Sequence, residues 1–296
     1  MRASEAHFAL DSLSRVSAQR DRTQSRMPSF IDLHCHWIAF IDDGCRAPEA
    51  GVALLRGLGD LGFGTVMATP HMRPGMFDND RAALTHAYEA MKAPLALAHA
   101  EKPLPEVYLS SEHYFDDTVF ERIRKGEGCP YPDLGPPAAL GPPAALGPAT
   151  LGTAAAPRRK RGVLLEFNPE RFPQSVHNRF FDLHRAGFYP VIAHPERYAP
   201  VWKDRESLSP LVEAGAHLLL DVCSLVGKYG KAAQKASEKL LEDGAYLAAC
   251  TDAHKPEDLE VVEQALARLR KLSGDEGVEA LFVDGPRHIL HLPSLA

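Results

Sequence analysis

The chain is poor in cysteine and pairs none of it. Its five cysteines, Cys35, Cys45, Cys129, Cys223 and Cys250, form no C-x-x-C motif and are odd in number. A disulfide framework and a thiolate zinc site are thereby excluded, and a reducing cytoplasm is the compartment expected. No run of about 18 apolar residues occurs, which excludes a helical membrane span. Residues 1–27 lack an apolar signal core, being interrupted by Arg15, Arg20, Asp21 and Arg22. Positive charge is in the minority, with 33 Lys and Arg against 39 Asp and Glu. The net charge is −6, which argues against broad nucleic-acid binding, and the one basic run, Arg158-Arg159-Lys160-Arg161, reads as a solvated loop.

What is present is alternation. Short apolar runs at 30–34, 65–69, 106–110, 163–167, 190–194, 217–222 and 246–251 read as strands. Helical patterns lie between them. Val52, Leu55, Leu58 and Leu61 follow Pro48-Glu49, a suitable helix start. Leu84, Ala87, Tyr88 and Met91 form a second pattern, and Leu259, Val262, Ala265, Leu266 and Leu269 a third. Strands alternating with helices imply parallel strands with crossover helices. Seven such units in 296 residues suggest a closed or nearly closed α/β barrel, with an open doubly wound sheet as the alternative.

Two segments depart from this pattern. Residues 1–28 are polar and read as a poorly ordered extension, with residues 1–26 dispensable and Met27 as the working start. The barrel is expected over 29–296, with an insertion at 133–160. Within that insertion, residues 135–152 read GPPAALGPPAALGPATLG. Proline and glycine at that density prevent regular structure, so a disordered linker is expected. Glycine does not recur every third residue, which excludes collagen.

The strand ends carry the chemistry. The first ends in Asp32-Leu33-His34-Cys35-His36, where histidines two apart on an extended chain point the same way. Asp42-Asp43-Gly44 follows in a loop. The second strand ends at Thr69-Pro70-His71, the third runs into Ser111-Glu112, and the fourth ends at Glu166. The fifth ends in His194-Pro195-Glu196-Arg197 and the seventh in Asp252-Ala253-His254. In a parallel barrel all these ends converge on one face. Singly, each residue is more readily a hydrogen-bonded loop residue, and Asp-Asp-Gly is an ordinary turn signal. Together, six of seven strands deliver a metal-type ligand to one mouth. Nine candidates, His34, His36, Asp43, His71, Glu112, Glu166, His194, Asp252 and His254, suit two or three divalent ions. Imidazole and carboxylate suit Mn, Fe, Zn or Mg more than a structural zinc, and Mn is the ion expected.

These residues resemble those of the PHP (polymerase and histidinol phosphatase) superfamily. The likeness is greatest to the bacterial metal-dependent protein tyrosine phosphatases of capsule and exopolysaccharide loci. It is carried by Asp32–His36, Asp42-Asp43-Gly44, Ala68–His71 with Gly75-Met76-Phe77, Leu165-Glu166-Phe167, Ile192–Arg197, Thr251–His254 and the closing segment Leu281–Arg287. It implies a distorted (β/α)7 TIM-like barrel with three ions. By resemblance, His34, His36 and Asp252 hold the first and Glu166 with His194 the second. Asp43, His71 and His254 hold the third, and Glu112 bridges the first two. Arg197, with His71 and Asp43, is a candidate catalytic residue, its guanidinium gripping phosphate oxygens. Relatives often carry an arginine soon after D-x-H; here Lys255-Pro256-Glu257-Asp258 stands instead, with no arginine until Arg268.

The expected reaction is hydrolysis of phosphotyrosine by in-line attack of a metal-bound hydroxide. The expected substrate is a phosphotyrosine protein, a bacterial tyrosine autokinase of polysaccharide export. A thiol mechanism is excluded by spacing. It needs C-x5-R, and the residues at the sixth position after the five cysteines are Ile41, Gly51, Gly135, Tyr229 and Pro256. The alternatives are another PHP phosphoesterase, acting on histidinol phosphate or nucleic acid, and a non-catalytic metal-binding barrel.

Overall fold

The computed structural model describes residues 29–136, 159–174 and 176–293. The N-terminal extension 1–28 and the greater part of the insertion, 137–158, lie outside the described residues.

Nine parallel strand segments make seven staves. They are β1 (Phe30–Cys35), β2 (Phe63–Ala68), β3 (His71–Met72), β4 (Glu106–Leu109), β5 (Glu112–Tyr114), β6 (Arg161–Glu166), β7 (Phe188–Ala193), β8 (His217–Asp221) and β9 (Ala248–Cys250). One sheet runs β1-β2-β4 and the other β3-β5-β6-β7-β8-β9. Segments β2 and β3 are one stave broken at Thr69-Pro70, and β4 and β5 one stave broken at Ser110-Ser111. Proline has no N–H for the ladder, so the break falls where a donor is missing. The serine side chains tie the broken backbone to its neighbours: Ser110 donates to Cys129 O at 3.1 Å and Ser111 to Pro70 O at 2.7 Å.

The two sheets close into a distorted (β/α)7 barrel. Past β9, Asp252 N donates to His34 O at 3.0 Å and His36 N to Ala253 O at 2.9 Å, with a parallel bridge between Cys35 and Ala253. Buried Asp32 reinforces this seam, accepting from Thr251 N at 3.0 Å and Thr251 Oγ1 at 2.5 Å.

The helices are α1 (Pro48–Asp60), α2 (Arg81–Glu101), α3 (Asp117–Arg124), α4 (Val176–Arg185), α5 (Ala199–Lys203), α6 (Ser209–Glu213), α7 (Lys231–Glu242), α8 (Leu259–Glu279) and α9 (Gly285–Ile289). In α1, Pro48 occupies the first turn with Glu49, and Val52, Leu54, Leu55 and Leu58 face inward. Asp80 caps α2 by accepting from Ala83 N, and Asp116 caps α3 by accepting from Val119 N. No described helix is long and apolar enough to cross a membrane.

Alternation along the strands makes two cores. Val163, Leu165, Leu218, Leu220 and Ala249 belong to a large cluster with the helix residues Leu55, Leu58, Phe180, Leu183, Leu240 and Leu269. Leu33, Leu164, Val191, Leu219, Ala248 and Cys250 form a smaller one with Tyr131, Ile289 and Leu290. Because side chains two apart share a face, Leu164 is aligned with Glu166, Leu219 with Asp221, and Cys250 with Asp252. The same inward row that packs the barrel therefore ends in a carboxylate at its mouth. At the other end Phe282, in the π-helical turn Ala280–Asp284, closes on Phe30 and Phe63 with ring centroids 5.7 and 5.4 Å away.

The described ends of the insertion are anchored. Leu134 N donates to Leu290 O at 3.0 Å and its side chain packs on the smaller core. Arg159 donates to Pro136 O at 3.0 Å, joining the two ends. Of the expected linker 133–160, Leu134 alone is thus seen to pack on the core among the described residues.

Candidate metal centre

All nine candidate ligands converge on the C-terminal mouth. Donor atoms fall into four overlapping groups, each within 4.8 Å: His36, Asp43, His71 and His254; His34, His36 and Asp252; His34, Glu112 and His194; and His71, Glu112 and Glu166. His34, His36 and Asp252 lie together, as do Asp43, His71 and His254. Glu166 groups with His71 and Glu112, whereas His194 meets Glu112 and His34. Glu112 stands at the centre, with Oε1 2.9 Å from His194 Nε2 and Oε2 3.2 Å from His34 Nε2 and 3.1 Å from His71 Nδ1.

Local backbone aims two of these side chains. His194 and Asp252 have φ of 38° and 46°, left-handed values that non-glycine residues rarely adopt. Each turns the chain sharply at a strand end. Strain of this kind persists where surrounding structure holds it, and both residues are buried. Gly44 explains the Asp-Asp-Gly loop: a Cβ there would lie 2.1 Å from His36 O, so only glycine lets the loop fold back on β1.

The residues around the ligands fix their orientation. Asp42 Oδ2 lies 2.7 Å from His36 Nδ1, leaving Nε2 to face the mouth. The same carboxylate accepts from His71 N and Gly44 N, both at 3.0 Å. Asn79 donates to Ile41 O and His71 O, both at 2.9 Å, joining the two ligand-bearing loops. The Phe77 ring stacks on His71 at 5.2 Å.

The donor set fits divalent cations. His34 Nε2 and His36 Nε2 lie 3.0 Å apart, each near Asp252 Oδ1, at 3.2 and 3.4 Å. Yet Asp252 Oδ1 and His71 Nδ1, though buried and close to opposite charge, make no hydrogen bond of good geometry. The distances are short and the angles wrong, as expected of donors aimed at a common point rather than at each other. Burial opposes charge on Glu112 and Asp252, but neighbouring histidines outweigh it and hold both carboxyls well below their usual range. Burial, then the charge of Glu112, pushes Glu166 up to about 8, while Arg73 pulls it down. Asp43 is lowered to about 2: burial opposes, and His254 and His71 prevail. Such a concentration of carboxylates needs compensating cations.

Two guanidinium groups border the site. Arg197 Nη1 lies 2.5 Å from Asp252 Oδ2 and 3.6 Å from Asp221 Oδ2, and its Cζ sits 4.2 Å above the Tyr229 ring. Arg73, absent from the sequence-derived candidates, reaches Glu166 Oε2 at 3.2 Å and covers the Tyr114 ring at 4.3 Å. Asp42 and Asp221 were likewise not assigned roles by sequence. Asp221 does end an apolar strand run, which is the signal that would have found it. Cys35 and Cys45 take no part: Cys35 Sγ donates to Ala253 O, and burial raises its thiol well above the usual range.

Fold and donor set together define a metal-binding α/β barrel, open at its C-terminal face. Residues 30–132 and 151–291 match the family described as capsular polysaccharide synthesis, CpsB/CapC. The chain belongs to that family. It is 27% identical over 247 residues to the tyrosine-protein phosphatase YwqE of Bacillus subtilis, covering 83% of this chain and 86% of that one. It is 23% identical over 266 residues to the tyrosine-protein phosphatase CpsB of Streptococcus pneumoniae, covering 88% and 98%. It also matches a crystal structure from work on YwqE and CpsB, described there as unique metal-dependent tyrosine phosphatases. That match has a TM-score of 0.72 and 26% identity, covering 89% of this chain and 95% of that one. A lactonase from Listeria monocytogenes shares the fold at a TM-score of 0.55 and 11% identity, covering 88% and 94%.

Proposed function

We propose that the chain is a metal-dependent protein tyrosine phosphatase that acts in the cytoplasm on a tyrosine autokinase of polysaccharide export. The observation that carries the reading is the overlap of four donor groups with a guanidinium on one of their carboxylates: Asp252 belongs to the metal-type cluster and also holds Arg197. A phosphate bound there meets cations and a planar fork donor together. The family's link to capsular polysaccharide and the names of its tyrosine-phosphatase members support the substrate class and the partner.

In this reading His34, His36 and Asp252 hold one ion, Glu112, Glu166 and His194 a second, and Asp43, His71 and His254 a third, with Glu112 also facing the first. Mn is the ion proposed. Divalent ions in such an array supply an activated water and neutralise the transferring phosphoryl group. The chain's own residues do the rest. Asp42 fixes the His36 ring, so that Nε2 faces inward. Tyr229 supports the plane of Arg197 from below, and Asp221 and Asp252 anchor its Nη1. Arg73 contributes a second fork beside Glu166. Tyrosine, with a pKa of about 10, leaves with less proton assistance than serine needs.

The test is turnover of p-nitrophenyl phosphate, phosphotyrosine and phosphoserine peptides, and histidinol phosphate, with Mn and with chelator. Phosphotyrosine is expected to be the preferred ester, lost on chelation and restored by Mn. Cys35→Ser is expected to remain active while His36→Ala is not. A Cys35→Ser protein that is folded and as dead as His36→Ala sinks the mechanism. Preferred hydrolysis of histidinol phosphate sinks the substrate assignment.

A further inference from the structure

A second feature lies in the helical layer outside the strands. Helices α5 and α7 pack together and leave an open groove of about 560 Å³ between them, lined by Trp202, Lys203, Arg205, Lys231, Lys235 and Lys239. Five of those six side chains are cationic, in a chain whose net charge is −6. One acid, Asp204, also lines the groove, and its carboxylate caps the next turn by accepting from Glu206 N. Arg205 is paired with Asp243 and Lys239 with Glu242. Lys203, Lys231 and Lys235 have no ion-pair partner among the described residues.

The groove grows from the same segments as the phosphate-facing arginine. The turn Pro195–Arg197 runs directly into α5, and Trp202 Nε1 donates to Glu196 O at 2.7 Å. Tyr229, under the Arg197 guanidinium, precedes Lys231 by two residues. Helix α7 packs against that turn as well. Trp202 is pinned at its N–H and remains 44% exposed, presenting its ring to whatever occupies the groove.

The spacing points to an occupant. Lys231, Lys235 and Lys239 recur every fourth residue, so they form one stripe along α7 with ammonium positions about 6 Å apart and about 12 Å overall. Side chains on one face of an extended peptide recur every two residues, about 6.6 Å. Three acids at alternate positions of an extended segment match three lysines at helical spacing. We propose that the groove docks an acidic segment of the phosphoprotein substrate flanking its phosphotyrosine, leaving the phosphate at Arg197. This inference rests on the tyrosine phosphatase reading. A nucleic-acid strand is the competing occupant. The acidic net charge and the groove's short span, enough for about five extended residues, favour the peptide.

The experiment uses the full chain loaded with Mn and compares a phosphotyrosine peptide flanked by Glu-x-Glu-x-Glu, its Gln-x-Gln-x-Gln counterpart and p-nitrophenyl phosphate. Wild type is expected to favour the acidic peptide about tenfold in kcat/KM, through KM, with the advantage shrinking as salt rises. The variant K231Q/K235Q/K239Q is expected to lose that preference and keep its rate on p-nitrophenyl phosphate. The matching Lys→Arg variant is expected to keep the preference. Should the triple variant fail to fold, K235Q against K235R gives the same comparison at smaller amplitude. Equal use of both peptides by wild type, or a preference that survives the Gln variant, overturns the proposal. Independently of catalysis, fluorescence anisotropy of a labelled, unphosphorylated acidic peptide is expected to report binding that the Gln variant weakens. Absence of any phosphatase activity alongside such binding would remove the phosphatase reading and leave the acidic-peptide groove. Tighter binding of oligothymidylate than of the acidic peptide would overturn the groove assignment.

Discussion

Arg197 and Asp252 meet across the mouth of the barrel, Nη1 to Oδ2 at 2.5 Å, although they lie 55 residues apart in sequence. The contact couples the guanidinium proposed to bind phosphate to a carboxylate of the metal-type cluster. It also fixes how the fork is presented, because Tyr229 holds the guanidinium plane from one side. Lysine at this position keeps the charge and loses the plane. Arg197→Lys is expected to lower kcat/KM on an aryl phosphate by on the order of 10- to 100-fold, the range of one charge-assisted hydrogen bond. Metal content, measured by plasma emission, is expected to be unchanged. Wild-type kinetics would remove Arg197 from the reaction.

Arg73 faces the same mouth from the loop after β3. Its bond to Glu166 and its seat on Tyr114 hold the guanidinium in place without a partner from the segment after Asp252-Ala253-His254. It gives the mouth a second guanidinium, where residues 255–267 offer no arginine. Arg73→Gln is expected to raise the inhibition constant for inorganic phosphate severalfold, as loss of a bidentate donor predicts. Phosphate inhibition equal to wild type would show that Arg73 only neutralises Glu166.

Asp42 is expected to act on metal through His36, whose Nδ1 it holds at 2.7 Å. Asp42→Asn retains one acceptor oxygen but can no longer accept at both His36 Nδ1 and the His71 and Gly44 amides as an ion. Affinity for Mn, measured by competition with a fluorescent chelator, is expected to fall 10- to 100-fold. An unchanged affinity would mean that β1 alone orients the ring.

His113, next to Glu112 in the chain, provides a pH signature set mainly by its burial. Its Nδ1 donates to Leu164 O and its Nε2 accepts from Cys129 N, both at 3.0 Å, so both nitrogens are committed in the neutral ring. Burial lowers its pKa from 6.5 to about 4. Between those values the unfolded chain binds the proton and the native state does not. The stabilisation is therefore complete above pH 6.5 and lost as pH falls toward about 4, to a total of about 3 kcal/mol. Urea denaturation of the chelated protein is expected to show this decline, and His113→Gln to flatten it. His217, lowered to about 4 by burial and then by His288, adds a second contribution of the same sign. A variant with the wild-type slope would assign the whole limb elsewhere.

The staves were legible because each apolar run ends in a residue that has no place in a core. Asp32-Leu33-His34 and Leu165-Glu166 announce both a strand and the point where it meets solvent or an ion. The continuation of the second and third staves past their breaks was not legible. The apolar runs stop at Thr69 and Ser110, and the residues that resume pairing, His71-Met72 and Glu112–Tyr114, are too short and polar to read as strands. The ligand positions followed from parallel topology alone. Their partners did not. Arg73 and Glu166 are 93 residues apart, and Asp42 looks from sequence like a mere turn residue beside Asp43. Which ligands share an ion depends on the depth of each strand end, and that depth is set by local backbone such as the left-handed turns at His194 and Asp252.

The seam between β1 and β9 has a consequence for biosynthesis. Asp32 and Thr251 are 219 residues apart, and His34 and His36 face Asp252 and His254 across the same join. On the ribosome the first pair of imidazoles emerges well before the opposing acid, which follows 216 residues after His36. Cation uptake at this join is therefore expected to wait for β9. Polypeptides stopped before β9 are expected to lack the ion shared by His34, His36 and Asp252, so the join that closes the barrel also gates the assembly of this part of the site.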